Sequence, residues 1–479
     1  MADADLLARL EARLGPKGFT SDADALAPWL TDWRGRYRGV AAAMLSPQDA
    51  EETADIVRWC AAARVAIVPQ GGNSSMSGGA TPAATGGAVL LSMRRMARVR
   101  SLSAEAGVAV AEAGVILSDL HDAAAGVGRR FPLTLGARGS ATVGGLVSTN
   151  AGGTQVLRWG TMRSLVLGLE AVLPDGSLLA GLAPLKKDNR GYDLKQLLIG
   201  AEGTLGVVTA ASLRLVPAVG SRVVGWLGLA SPGDALRLLR LLDNAMGSAV
   251  ESFELVPDRA LQLVLAHVPG TRAPLASAHR WHVLVEAVAP MVAPSPDKAL
   301  GRALTAALGT GLVADAAIAT SEAQADALWR LRDSISEAER AAGPAVKHDL
   351  SVEVDRMPRF MDEAAAAVEA RFPGTTVIAF GHLGDGNVHF NVVAPGGAGA
   401  DWVDGEGQAV TAFVHDLVTA AGGSISAEHG IGQMRLAELA RLGDPARLQA
   451  MRAIKRALDP AGIMNPGKLV PAADWPGLA

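Results

Sequence analysis

Cysteine is all but missing: Cys60 is the only one in 479 residues. Disulfides and thiolate metal clusters are therefore excluded, and Cys60, which follows Trp59 in a helical-looking stretch, reads as a small core hydrophobe. Aromatic residues are scarce at 4%, and no Lys/Arg block interleaves with them. With a net charge of -4 nothing draws the chain toward a phosphate backbone, so nucleic acid is not an expected partner. Nothing approaches the ~20 uninterrupted apolar residues of a membrane span. The N-terminal "MADADLLARLEARLG" carries acids where a signal peptide carries bases, so a cytoplasmic protein is expected. What is abundant is apolar: 49% hydrophobic against 19% charged, in a chain long enough for two or three domains sharing an interface.

The pattern along the chain changes once. From about residue 41 to 216 short apolar strands such as "VAIVP" and "LGLEAVLPDG" alternate with helices and many glycines. Beyond Pro217 strands such as "SRVVGWLGLA" and "HVLVEAV" alternate with long alanine-rich helices, among them "PGDALRLLRLLDNAM". The expected divisions are 1–216, 217–422, and a helical C-terminal segment 423–479.

No Gly-x-Gly-x-x-Gly follows a strand and opens a helix, so the Rossmann signature is absent. Three glycine-rich loops stand in its place: "PQGGNSSMSGGATP" from Pro69, "GARGSATVGGLVSTNAGG" from Gly136 and "GAEGTLGVVTA" from Gly200. Glycines let backbone N–H groups approach a pyrophosphate, and interleaved hydroxyls add donors. One such loop is more often a tight turn; three in one half argue for a nucleotide.

Together with "TDWRGRY", "KDNRGYDLKQLLIGAEGTLG" and "GHLGDGNVHFN", these loops resemble the vanillyl-alcohol oxidase and p-cresol methylhydroxylase superfamily. Within it they are similar to the D-2-hydroxyglutarate dehydrogenases and other D-2-hydroxyacid dehydrogenases. The resemblance implies an α+β fold: a two-subdomain FAD-binding domain, an antiparallel-sheet substrate domain and a helical C-terminal segment. By it Gly71, Gly72, Asn73, Ser74 and Ser75 form the pyrophosphate loop behind Pro69. Gly136, Ser140, Thr142, Gly145, Asn150, Gly152 and Gly153 line the flavin and ribityl region, and Glu202, Gly203 and Val208 lie toward the adenosine. Asn465 and Lys468 of "NPGK" join them if the tail folds back. The flavin is expected to be noncovalent, since this half offers only His121 outside the loops. The family's loop more often has glycine where Ser75 stands.

Two of nine histidines flank the turn in "GHLGDGNVHF", and a third lies in "SISAEHGIGQ". Apolar residues on both sides of Gly-Asp-Gly-Asn read as two strands and a tight connection, which brings His382 and His389 together; His389 and Asn391, two apart, share a face. Each histidine alone could be a turn cap or a hydrogen-bonded strand residue. Together with Glu428 they make a His₂Glu set suited to Zn²⁺ with an open position, Mn²⁺ or Co²⁺ being alternatives, and the resemblance assigns these same positions to the metal. His429 is left as the base. An alcohol with a pKa near ~15.7 lies about nine units, or roughly 12 kcal/mol, above histidine, so base and metal belong together.

The segment "SEAQADALWRLRDSISEAERAAGPAVKHDLSVE" opens on a capping box at Ser321 and Gln324 and reads as one helix to about Ala342, with Arg332 and Ser336 on one face and Lys347 opening the next strand. The family pattern makes Arg332, Ser336 and Lys347 the carboxylate binders, with threonine more usual at Ser336 and Asn391 completing the pocket. Two cations and a metal suit a dianion. The expected activity is oxidation of D-2-hydroxyglutarate to 2-oxoglutarate by hydride transfer to FAD, with electrons passed to an electron-transfer flavoprotein or a quinone; a homodimer is the oligomer to test for. D-Lactate, glycolate or D-malate dehydrogenation is the near alternative. A zinc hydrolase with a nucleotide-binding domain is the alternative from another class.

Overall fold

The computed structural model describes residues 4–471. The chain forms two units, one of Met1–Gly153, Trp159–Pro217 and Glu428–Ala479, the other of Thr154–Arg158 and Ala218–Ala427. The breaks thus follow Pro217 and Ala427, where the sequence suggested 216 and 422. The last segment belongs to the first unit, and the excursion Thr154–Arg158 has no sequence signal. Among the described residues no helix is long and apolar enough to cross a membrane.

Among the described residues the first unit holds two larger sheets and a two-stranded pairing of Arg129–Arg130 with Val216–Pro217. One runs Phe19–Thr20, Ala41–Leu45, Ala88–Ser92, Ile67–Gln70, antiparallel at the first pairing and parallel at the other two. Helices Ala4–Gly18 and Ala50–Ala63 bury Leu6, Leu10, Leu14, Ile56, Val57 and Cys60 in its core. Burial pushes the Cys60 thiol up to about 12, as expected of an inert core cysteine. The other sheet is wholly antiparallel, in the order Val99–Ser103, Val108–Glu112, Val207–Arg214, Val166–Val172, Leu178–Gly181. The C-terminal tail extends the first sheet past its edge strand. Ile67 donates its N–H to the Ile463 carbonyl and accepts from the N–H of Asn465, both at 2.8 Å.

The second unit is built on one seven-stranded antiparallel sheet, ordered Asp315–Ile318, Val219–Leu229, Trp281–Pro290, Val250–Pro257, Thr376–His382, Asn387–Val393, Ala345–Ser351. Helix Pro232–Met246 forms where Ser231 caps the N–H of Asp234 and Pro232 takes the first turn; it buries Ala235, Leu238, Leu239 and Leu242 at helical spacing. Helices Asp258–His267 and Glu322–Asp333 cover one sheet face around Trp226, Val256, Leu284 and Phe380. On that face the apolar layer gives way to polar side chains toward the turn after His382.

Candidate active site

In the first unit the loop after strand Ile67–Gln70 presses against the start of helix Val143–Thr149. A Cβ at Gly72 would overlap the carbonyl of Ser140, and one at Gly71 the hydroxyl of Thr142. Only glycine lets the two segments close in this way, and the backbone N–H groups of residues 71–75 donate no hydrogen bond among the described residues. Asn73 takes the left-handed conformation (φ 52°), with its Nδ2 on the Thr31 carbonyl at 2.9 Å. Ser75 keeps φ negative, so serine instead of the family's glycine costs no backbone strain; its Oγ accepts from the N–H groups of Ser77 and Gly79 at 3.4 Å. Thr142 Oγ1 and Asn465 Oδ1 are buried without a hydrogen-bond partner among the described residues. Bare amides and unsatisfied polar atoms are what an FAD phosphate and ribityl chain would satisfy, so the residues fit the cofactor. Gly136, by contrast, is exposed, Asn150 Oδ1 is taken by the N–H of Arg163 at 2.9 Å, and Val208 packs within the apolar core.

Glu202 does something the sequence did not suggest. Its buried carboxylate accepts the N–H groups of Ile431 (2.7 Å) and Gly432 (2.8 Å), clamping the loop behind His429, while Ser77 Oγ donates to the His429 carbonyl at 2.6 Å. Burial raises the Glu202 pKa against those two N–H groups and against Arg435 and Lys468. The tail returns here: Asn465 Nδ2 donates to the carbonyls of Gly79 (2.9 Å) and Glu202 (2.7 Å), and Lys468 is buried, its amine pushed down to about 8 by burial with Glu202 pulling the other way. Ligand atoms of Glu428 and His429 lie within 4.8 Å of each other.

In the second unit the hairpin Thr376–His382 and Asn387–Val393 matches the expected strands and turn, with His382 opposite Asn387 and Phe380 opposite His389. The two imidazoles meet edge to face at 5.4 Å between centroids, with ligand atoms within 4.8 Å. His389 faces Asp349, and Asn391 faces Lys347, on the neighbouring strand. Ala427, the residue before Glu428, donates its N–H to the Asp349 carbonyl at 3.1 Å. Two imidazoles this close can hold a divalent cation together.

Glu254, unmarked in the sequence, lies opposite His382 and is fully buried. Its Oε1 is 2.6 Å from His382 Nδ1 and its Oε2 accepts Arg332 Nε at 2.8 Å. Burial alone would raise its pKa, yet the adjacent His382 and Arg332 outweigh that and hold it at about 2. The Arg332 guanidinium stands 5.2 Å over the Phe380 ring, and its two terminal amino groups make no hydrogen bond among the described residues. Glu339, also buried, accepts Lys347 Nζ (2.8 Å) and Asn391 Nδ2 (2.8 and 2.9 Å).

Two expectations need correction. The helix through Arg332 is not continuous: it ends at Asp333, Ser334 interrupts it, and Ile335–Ala338 passes into a 3-10 turn Glu339–Ala342. That tightening seats Ile335 and Ala338 in the core and turns Glu339 inward to Lys347 and Asn391, leaving Ser336 exposed. Nor do Arg332 and Lys347 offer two unopposed charges, because Glu254 and Glu339 balance them. A buried carboxylate in "VESFELVP" could have been suspected, since an acid inside an apolar strand requires a partner. Glu339, in a charge-rich helix end, had no such signal.

Two family profiles match: "FAD binding domain" over residues 41–180 and "FAD linked oxidases, C-terminal domain" over 220–469. The D-2-hydroxyglutarate dehydrogenase of Xanthomonas citri pv. viticola is 38% identical over 99% of this chain and 99% of its own, and the mitochondrial one of Arabidopsis thaliana 36% over 96% and 80%. In fold the chain resembles p-cresol methylhydroxylase, with a TM-score of 0.73 at 15% identity, covering 97% of this chain and 96% of the other. The hydrolase alternative gives way to these matches.

Proposed function

The chain belongs to the FAD-linked oxidase family, in its D-2-hydroxyglutarate dehydrogenase group, and from that membership we propose that it oxidises D-2-hydroxyglutarate to 2-oxoglutarate. Bound FAD supplies the two-electron oxidant that takes a hydride from the carbinol carbon. His429 takes the hydroxyl proton, held in place by Ser77 on its carbonyl and by the Glu202 clamp on the next turn of the loop. The terminal amino groups of Arg332 suit a bidentate carboxylate, and Lys347 supplies donors for the second, beside Asn391, whose amide hydrogens Glu339 holds. Ser336 has no part in this reading, because it is exposed beyond the helix break.

His382, His389 and Glu428 would hold a divalent metal, Zn²⁺ by the preference of imidazole, and the Lewis acid would lower the pKa of the substrate hydroxyl. The paired imidazoles support this, as does the anchoring of Ala427, directly before Glu428, to the Asp349 carbonyl beside His389. Electrons then leave to an electron-transfer flavoprotein or a quinone.

One observation carries the substrate assignment: a single sheet face brings together the histidine pair, Asn391, Lys347 and, above Phe380, Arg332. The test is artificial-dye reduction with D-2-hydroxyglutarate, D-malate and D-lactate, before and after chelation. Preference for D-2-hydroxyglutarate, with turnover but not flavin lost on chelation, is expected. Preference for D-lactate would overturn the dianion pocket, and indifference to chelation would overturn the metal.

A further inference from the structure

Around the histidine pair the side chains form a closed circuit within the second unit. Glu254 holds His382 through one oxygen and Arg332 through the other; Arg332 lies over the Phe380 ring; Phe380 tilts against His389 at 5.0 Å between centroids; His389 meets His382 edge to face. The sole carboxylate in this circuit belongs to Glu254, and it is shared. With Nδ1 of His382 committed to it, Nε2 is the nitrogen this ring would offer a metal, and the anionic partner makes that nitrogen a stronger donor. With Nε of Arg332 committed to it, the guanidinium is fixed with its terminal amino groups outward, the edge that pairs bidentately with a carboxylate.

Resting on the metal reading above, we propose that Glu254 is a positioning residue that couples metal affinity to recognition of the substrate carboxylate, one oxygen serving each. The two duties compete. An arginine that draws on the carboxylate lessens what His382 receives, and a substrate carboxylate that engages the arginine returns some of it, so substrate and metal each tighten the other's binding.

The test uses the full-length, FAD-loaded chain. Zinc affinity is measured by competition with a chromogenic chelator, with no substrate present, in wild type, Glu254→Gln and Arg332→Met. Flavin absorbance and melting temperature report folding. Glu254→Gln is expected to bind zinc about 10- to 100-fold more weakly, the range for loss of a carboxylate behind a ligating histidine. It should also raise the KM for D-2-hydroxyglutarate. Arg332→Met should lose substrate affinity to a greater degree, while zinc affinity holds or rises because His382 then has the carboxylate to itself.

A merely structural role would weaken zinc binding in both variants alike, and that result overturns the coupling. So does unchanged zinc affinity in Glu254→Gln. Should that variant not fold, a fall in zinc affinity in Arg332→Met still overturns the proposal, and a gain supports it. A wild-type chain that takes up no stoichiometric zinc overturns the metal reading and, with it, this inference.

Discussion

Lys468 is a buried amine next to a buried acid, and its titration has a definite sign. Burial lowers its pKa from the ordinary 10.5 to about 8. Between those values the unfolded chain binds a proton that the folded chain does not, so stability rises with pH across that window; below about pH 8 the cost of the buried charge is fully present. Urea denaturation of the flavin-free protein from pH 7 to 10 should show the wild type gaining on Lys468→Met as pH passes 8. A constant difference between the two would show that Lys468 is not the group responsible. At this scale the sequence was legible where residue types are rare. Histidines flanking a glycine turn, and glycines in three loops, marked positions that the structure brings together. It was silent where the residue type is common: Glu339 is one among 48 acids and sits in a charge-rich helix end, while Glu254 could be suspected only from the apolar strand around it.

Among elements, the C-terminal return depends on one internal ion pair. Lys455 donates to Asp459 and to the carbonyls of Thr204 and Met464, while Asp459 accepts the N–H groups of Ile463 (3.1 Å) and Met464 (2.9 Å). Both side chains are buried. Asp459→Asn leaves a buried ammonium without its counter-charge and should cost about 3–5 kcal/mol. Lys455→Met should cost less, since Asp459 keeps its two backbone donors. Equilibrium denaturation ranks the two, and equal losses would contradict the asymmetry. Periodicity found the strands, the hairpin and the long helices here, because each has an apolar face of several turns or residues. It passed over the interruption at Ser334, since Leu331, Ile335 and Ala338 keep helical spacing across it. Nor does spacing reveal that the tail pairs with Ile67; only a resemblance suggested that it folds back.

For the whole molecule, the decisive fact is that the first unit is discontinuous. All three glycine loops lie before Pro217, yet Asn465, Lys468 and the loop clamped by Glu202 lie after Ala427. A chain ended at Ala427 should therefore purify without flavin although it keeps every glycine loop. The ratio of absorbance at flavin and protein wavelengths checks this, and a yellow truncated protein would mean that the cradle is complete without its tail.

The Asn465 amide bound to Gly79 joins residues 386 apart, and the ribosome makes the entire second unit in between. At about 5–20 residues per second, roughly 20 to 80 s separate the synthesis of the two. Throughout that interval strand Ile67–Gln70 is a bare sheet edge on a nascent chain, the kind of surface that pairs with a neighbour on the same polysome. That edge stays open until Asn465 has been made, so the interval of exposure is set by the rate of elongation.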